Sequence, residues 1–200
     1  MHRVLLLGAG KIGRMIAHQL VGTGEYELVV ADADQEVVER LGKQLDIRVQ
    51  TIDATNAGEL AQAMQHRDTV ISALSYRHNP LIAETALTAG ISYFDLTEDV
   101  VTTRRVRAFA EKAKPGQIFM PQCGLAPGFI SIVANHLTKK FERLDSVRMR
   151  VGALPQFPTG ALKYNLTWST DGLINEYCNP CEAVHDGRRI DVLALEGLEH

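Results

Sequence analysis

Two hundred residues, 46% hydrophobic and 22% charged, have the composition of an ordinary globular chain, which excludes disordered, collagen-like and fibrous classes. A formal net charge of −3 leaves no basic excess for nucleic acid or an anionic membrane surface. Three unevenly spaced cysteines make no disulfide scaffold, no apolar run is long enough for a membrane span, and the four apolar residues after MHR run straight into a glycine motif rather than a secretory signal, so a cytoplasmic protein is expected.

The predicted elements alternate. Residues 4–7 read as a buried strand, and Ile12, Ile16 and Leu20, with Met15 beside them, repeat at helical spacing. Residues 28–31 form a second strand, and Val37, Val38 and Leu41 mark a helix for which Asp34 is a plausible N-cap. A third strand over 47–51 precedes a helix carried by Leu60, Ala63 and Met64, then a fourth strand over 69–73. Residues 80–89 are helical up to Gly90, 91–95 are a fifth strand, 101–113 a helix closing before Pro115, and 118–120 a sixth strand. Strands alternating with helices imply right-handed βαβ units and a parallel sheet covered on both faces. The pattern changes after Cys123. A helix is expected over 126–141 with Pro127 in its first turn, strands over 147–151 and 162–168, a short helix over 170–177, and a hairpin over 183–192 turning at Asp186-Gly187. The expected division is residues 1–124 as a doubly wound α/β domain and 125–200 as the first part of an α+β domain that stops without a closing element, as a chain cut short would.

Gly8-Ala9-Gly10-Lys11-Ile12-Gly13 follows the first strand and opens the first helix. The first glycine permits the tight turn, the second admits a pyrophosphate, the third lets helix and strand pack closely, and the helix N-terminus offers free N–H groups to phosphate. Asp32 stands 19 residues after Gly13, where a carboxylate can accept hydrogen bonds from a ribose. No Lys or Arg stands at 33–35, which favours NAD over NADP. Asp34 is read as a helix cap, and Asp53 either as an adenine neighbour or as a loop cap.

In an open parallel sheet, ligands lie outside the carboxyl ends of the strands. Tyr76, Arg77 and His78 stand just past the fourth strand end, Ser72-Ala73-Leu74-Ser75; Arg77 suits a carboxylate and His78 an acid or base, with a solvated loop as the competing reading. Asp95 and Glu98 follow the fifth strand and suit an ammonium group or its proton, although loop fixing competes for Asp95. Cys123-Gly124-Leu125-Ala126-Pro127-Gly128 lies at the junction of the two parts, where backbone can approach a ligand; Cys123 reads better as a small buried residue than as a nucleophile. Cys178-Asn179-Pro180-Cys181 lacks the second pair that a zinc site needs, so no metal is expected. Trp168 is a core or interdomain residue, or else an apolar wall of the substrate pocket.

Four segments, VLLLGAGKIGR, ISALSYRHNPLIAETALTAGISYFDLTED, CGLAPGF and YNLTWSTDGLINEY, together resemble the saccharopine dehydrogenase family, and within it the L-lysine 6-dehydrogenase branch. The resemblance runs from residue 1 to about 195, and members are considerably longer than this chain. It implies an NAD(P)-dependent amine dehydrogenase, usually a homodimer, with a Rossmann domain and a mixed α/β substrate domain. By that likeness Gly8, Gly10, Lys11, Ile12 and Gly13 line the pyrophosphate, Asp32 holds the ribose, and Ala73, Leu74 and Ser75 pass beside the cofactor. Gly124, Leu125, Ala126 and Gly128 face the nicotinamide end. The implied reaction oxidises the side-chain amine of an amino acid, lysine first, with Glu98, Asp95 or His78 as base. Arg77 or Lys163 would fix the α-carboxylate and Tyr164 would add a hydrogen bond. A secondary-amine substrate of saccharopine or carboxynorspermidine type, and a non-catalytic NAD-sensing module, are the alternatives.

Overall fold

A computed structural model describes residues 1–152, 155–161, 163, 166 and 169–195. Six strands form one parallel sheet: β1 (His2–Leu7), β2 (Tyr26–Asp32), β3 (Arg48–Thr51), β4 (Thr69–Ser72), β5 (Ser92–Asp95) and β6 (Phe119–Met120), in the order β3-β2-β1-β4-β5-β6. The chain moves outward from β1 to β3, then crosses back to β4, so the direction of winding reverses between β1 and β4. Val4 lies beside Leu28 on one side and Thr69 on the other, and the register continues without a slip to Leu7, between Ala31 and Ser72.

The unbroken apolar run of β1 follows from burial on both faces. Val4 and Leu6 face Ala17 of α1 (Lys11–Thr23) and Val38 and Leu41 of α2 (Gln35–Leu45). Leu5 and Leu7 face the opposite layer, where α3 (Ala57–Ala63) supplies Leu60, α4 (Asn79–Ala89) supplies Ile82 and Ala86, and α5 (Val100–Ala110) supplies Val106. Caps set the helix starts: Asp34 accepts from Val37 N–H, Asn56 from Gly58 and Glu59 N–H, and Asp99 from Thr102 N–H.

The C-terminal domain is lighter. It contains α6 (Phe129–Thr138), α7 (Thr170–Cys178) and an antiparallel hairpin of β7 (Cys181–His185) and β8 (Arg188–Val192). Asp186 at φ 48° and Gly187 at φ 72° make the two-residue turn that the sequence signals. Two expectations change. The helix anticipated over 126–141 begins only at Phe129, because Gly128 sits at φ 134°, outside the helical region. Residues 147–151 form no strand, and Val147, Met149 and Val151 are exposed: among the described residues no neighbouring strand pairs with them. Most of the strand anticipated over 162–168 lies outside the described residues. Among the described residues, no helix is long and apolar enough to cross a membrane.

Candidate functional site

The carboxyl ends of β1, β4 and β5 open onto a cleft of about 370 Å³. Its floor is the glycine loop. Gly8 holds φ +102°, and a Cβ there would stand 2.9 Å from the Ala73 carbonyl oxygen; one on Gly13 would stand 1.9 Å from the Gly8 carbonyl oxygen. Those two glycines are therefore required by packing between loop, helix and β4. Gly10 differs, with ordinary φ of −68° and nothing within 4 Å of a Cβ. The open space lies at the N-terminus of α1, which has no side-chain cap and no acidic residue in its first turn. Unpaired N–H groups and a positive dipole end facing open space are what a pyrophosphate requires.

Lys11 and Ile12 line the cleft beside Gly10; Ala73, Leu74 and Ser75 form the wall from β4; Leu96, Thr97 and Glu98 form the wall from β5. The Ser75 hydroxyl is buried at this wall without a hydrogen-bond partner among the described residues. Lys11 reaches across the cleft, its Nζ donating to the Leu166 carbonyl at 2.9 Å. Ser169 also lines the cleft and caps α7 through Gly172 N–H, so the C-terminal domain supplies part of the wall. Sequence reasoning missed Ser169, Leu96 and Thr97 as site residues and placed Tyr76, which also lines the cleft, past the fourth strand end without giving it a role. The signal for Tyr76 was its place immediately after Ser75 at a strand end.

The acids divide into distinct roles. Asp32 ends β2 beside the glycine loop, its Oδ2 accepting from Ala9 N–H at 2.7 Å and its Oδ1 from Asp34 N–H at 3.1 Å. It fixes the loop and still has lone pairs for a ribose hydroxyl. Asp53 is exposed and accepts from the Thr55 N–H and hydroxyl, which hold its carboxyl below the usual range; the geometry gives it the loop-cap role. Asp95 is fully buried, accepting from the Tyr93 hydroxyl at 2.7 Å, Thr97 N–H at 2.9 Å and Gln122 N–H at 3.1 Å, while its carbonyl accepts from Cys123 N–H. Burial raises its pKa against those hydrogen bonds. It ties together the loops after β5 and β6 and presents no oxygen to the cleft, so the fixing role is the one its geometry supports.

Glu98 is the acid that does line the cleft. Burial raises its pKa, with nearby Asp99 and Asp95 adding to the rise, while the Asn175 amide of α7, 3.5 Å from Oε1, opposes it. A half-buried carboxyl with a raised pKa is suited to exchanging a proton with an amine.

The remaining candidates lie elsewhere. Tyr76–His78 form a short 3₁₀ turn in which Arg77 points outward, pairing with Asp171 of α7 at 3.5 Å and sitting over the Tyr76 ring. His78 precedes α4 on the side facing Asp53 and does not line this cleft. Gly124 and Gly128 line a separate cleft of about 380 Å³ beside α6, although Gly124 approaches the Leu96 carbonyl that borders the first. Leu125 is exposed, and it and Ala126 line neither cleft. Cys123 is half-buried, its thiol pushed up by burial and by Asp95, the opposite of an activated nucleophile. Lys163 is exposed at φ 51° and lines neither cleft. Tyr164 and Trp168 lie outside the described residues. Cys178 and Cys181 are exposed free thiols, and among the described residues no cluster suits a metal ion.

A doubly wound sheet with an uncapped helix N-terminus at its switch point defines a dinucleotide-binding α/β protein. Residues 4–120 match the saccharopine dehydrogenase NADP binding domain and residues 124–199 the saccharopine dehydrogenase C-terminal domain, so the chain belongs to the saccharopine dehydrogenase family. It is 21% identical to the mitochondrial alpha-aminoadipic semialdehyde synthase of Rattus norvegicus over 197 residues, 95% of this chain and 21% of that protein. The chain thus spans about a fifth of that relative's length. In fold it is similar to the apo saccharopine dehydrogenase (L-Glu forming) of Saccharomyces cerevisiae, with a TM-score of 0.73 and 20% identity over 96% of this chain and 44% of that one. It is also similar to GenD2 from gentamicin A biosynthesis, solved in complex with NAD, with a TM-score of 0.51 and 20% identity over 68% of this chain and 38% of that one.

Proposed function

We propose that the chain is the cofactor-binding and proton-accepting part of an NAD-dependent dehydrogenase acting on an amine of an amino acid. The observation that carries this reading is the shared cleft: the open N-terminus of α1 at Gly10 and the half-buried carboxyl of Glu98 line the same space. The nicotinamide supplies the hydride acceptor when the cofactor is bound. Gly10 and the free N–H groups of α1 hold the pyrophosphate, Asp32 the ribose, and the Ser75 hydroxyl has unused hydrogen-bonding capacity at the wall. With no cation at 33–35 and two carboxylates at 32 and 34, a 2′-phosphate is disfavoured, which supports NAD over NADP.

Glu98 removes the ammonium proton and leaves a nitrogen lone pair that assists departure of hydride from the adjacent carbon. The carbon–nitrogen bond becomes an iminium, which water converts to a carbonyl with release of ammonia from a primary amine or of the second amine from a secondary one. The apolar walls at Leu74 and Leu96 exclude water during transfer. Lysine is the first primary-amine candidate. The secondary amine saccharopine is the second, supported by the family to which both halves of the chain belong.

The test is absorbance at the NADH band with NAD and a panel led by lysine and saccharopine, together with calorimetric titration of NAD and NADP. The expected result is NADH with one of the two amines and tighter binding of NAD. NADH with lysine alone selects the primary amine and with saccharopine alone the secondary. NAD binding with no NADH from any amine would reduce the chain to a binding module, and failure to bind either cofactor would overturn the assignment of the glycine loop.

A further inference from the structure

A second cleft, of about 570 Å³, lies between α5 and the α7–β7 segment and meets the cofactor cleft at Glu98, which lines both. One stripe of α5 faces it: Val100, Thr103, Arg104 and Arg107, at spacings of three, one and three residues that fall on a single helical face. Asn175 and Asn179 close the opposite side and are hydrogen-bonded to each other, and Asn175 also reaches Glu98 and Asp99. The cleft therefore has a mixed polar and apolar lining and joins the cofactor site at Glu98.

Its charges are mixed: Glu98, Glu176 and Glu182 supply carboxylates, and Arg104 and Arg107 supply guanidiniums. Glu98 stands where the clefts meet. Arg104 makes only a long contact with Glu182, at 3.5 Å, with both side chains exposed. Arg107, one turn further, has no ion-pair partner among the described residues. At a rise of about 1.5 Å per residue, Arg107 lies roughly 10 Å along α5 from its start beside Glu98. A proton-accepting carboxyl at one end and an uncommitted guanidinium at the other match an extended aliphatic amino acid with its amine toward the cofactor. Neither Arg77, which points outward beside Asp171, nor exposed Lys163 lines this space.

We propose that Arg107, seconded by Arg104, binds the carboxylate of the amine substrate in the α5–α7 cleft. This rests on the dehydrogenase reading above and assigns the carboxylate subsite that reading lacks. The subsite selects amines that carry a carboxylate over amines of equal length that do not.

The experiment is calorimetry on the full 200-residue chain saturated with NADH, which leaves lysine unreacted, using two probes, lysine and 1,5-diaminopentane, the same carbon chain without the carboxylate. Wild type is expected to bind lysine at least tenfold more tightly than the diamine. Arg107→Ala brings lysine down to the diamine's affinity without changing that of the diamine or NADH, and Arg107→Lys recovers part of the preference. Arg105→Ala, one position off the stripe, retains all of it. Equal binding of both probes by wild type, or a preference that survives Arg107→Ala, overturns the carboxylate subsite while leaving the amine reading standing. NADH binding with neither probe bound overturns both, and the NADH titration alone reports on the cofactor site beneath them.

Discussion

Gly10 and Gly13 belong to one motif but face different constraints. A methyl group on Gly13 collides with the Gly8 carbonyl, so Gly13→Ala must shift the loop or the helix and is expected to cost roughly 1–3 kcal/mol in urea denaturation. A methyl group on Gly10 meets nothing, so Gly10→Ala should unfold like wild type yet lose at least tenfold in NAD affinity, because the methyl occupies the phosphate's space. Equal Tm with intact NAD binding in Gly10→Ala would remove the pyrophosphate from this loop. Asp95 allows a pH test. Burial raises its folded-state pKa above that of the unfolded chain, so the native state holds the proton more tightly. Stability from this group is complete below the unfolded pKa and is lost as pH rises through the raised folded value. Asp95→Asn keeps an acceptor for Thr97 and Gln122 and an amide for Tyr93 but does not titrate, so its stability relative to wild type should rise between pH 4 and pH 8. Asp95→Ala strands those donors and should cost roughly 1–3 kcal/mol throughout. Denaturation of the three proteins across that range checks the sign.

At the scale of elements, α5 joins fold and site. Its buried residues, Thr102, Thr103 and Val106, pack on the side of α4 and β6, Val100, Arg104 and Arg107 face the second cleft, and its start is fixed by Asp99. Asp99 accepts from Thr102 N–H at 2.6 Å and also reaches Asn175 of α7 at 3.4 Å. Asp99→Ala is therefore expected to cost about 1 kcal/mol through the lost cap. It should also loosen α7, read as faster amide exchange over residues 172–178. Exchange unchanged there would confine Asp99 to capping. Elements whose signals are local were legible from sequence: the hairpin turn at Asp186-Gly187, the cap at Asp34 and the glycine loop are each written in adjacent residues. The strand expected over 147–151 failed because a strand-like segment becomes a strand only when a neighbour pairs with it, and among the described residues none does. The site was legible where it follows one strand end, as at Gly10, Ala73, Ser75 and Glu98. Ser169 and the α5 arginines escaped because tertiary folding alone brings them to the cleft, and no spacing in the chain records that approach.

For the whole molecule, burial is unevenly shared between the two parts. Every buried apolar side chain among the described residues lies between Val4 and Val106, packed on one or other face of the parallel sheet. Beyond Cys123, Phe129 and Ile132 of α6, Ile174 of α7, and Val184 and Ile190 of the hairpin are all exposed. Each buried Leu, Ile or Val contributes about 1.5–3 kcal/mol, so the sheet carries nearly all the hydrophobic stabilisation and the C-terminal elements carry little. Local opening free energies should divide along the same line. In hydrogen exchange on the 200-residue chain, amides of β1, β2, β4 and β5 are expected to exchange only through global unfolding. Those of α6, α7, β7 and β8 should exchange orders of magnitude faster. NAD binding should slow exchange at α7 beyond any effect on α6, because Ser169 and Asn175 adjoin the cofactor cleft and its Glu98 whereas α6 borders a different one. Protection in α6 equal to that in β1 would mean that the apolar face of α6 is covered in solution, and equal slowing of α6 and α7 by NAD would mean that the C-terminal elements respond as one body.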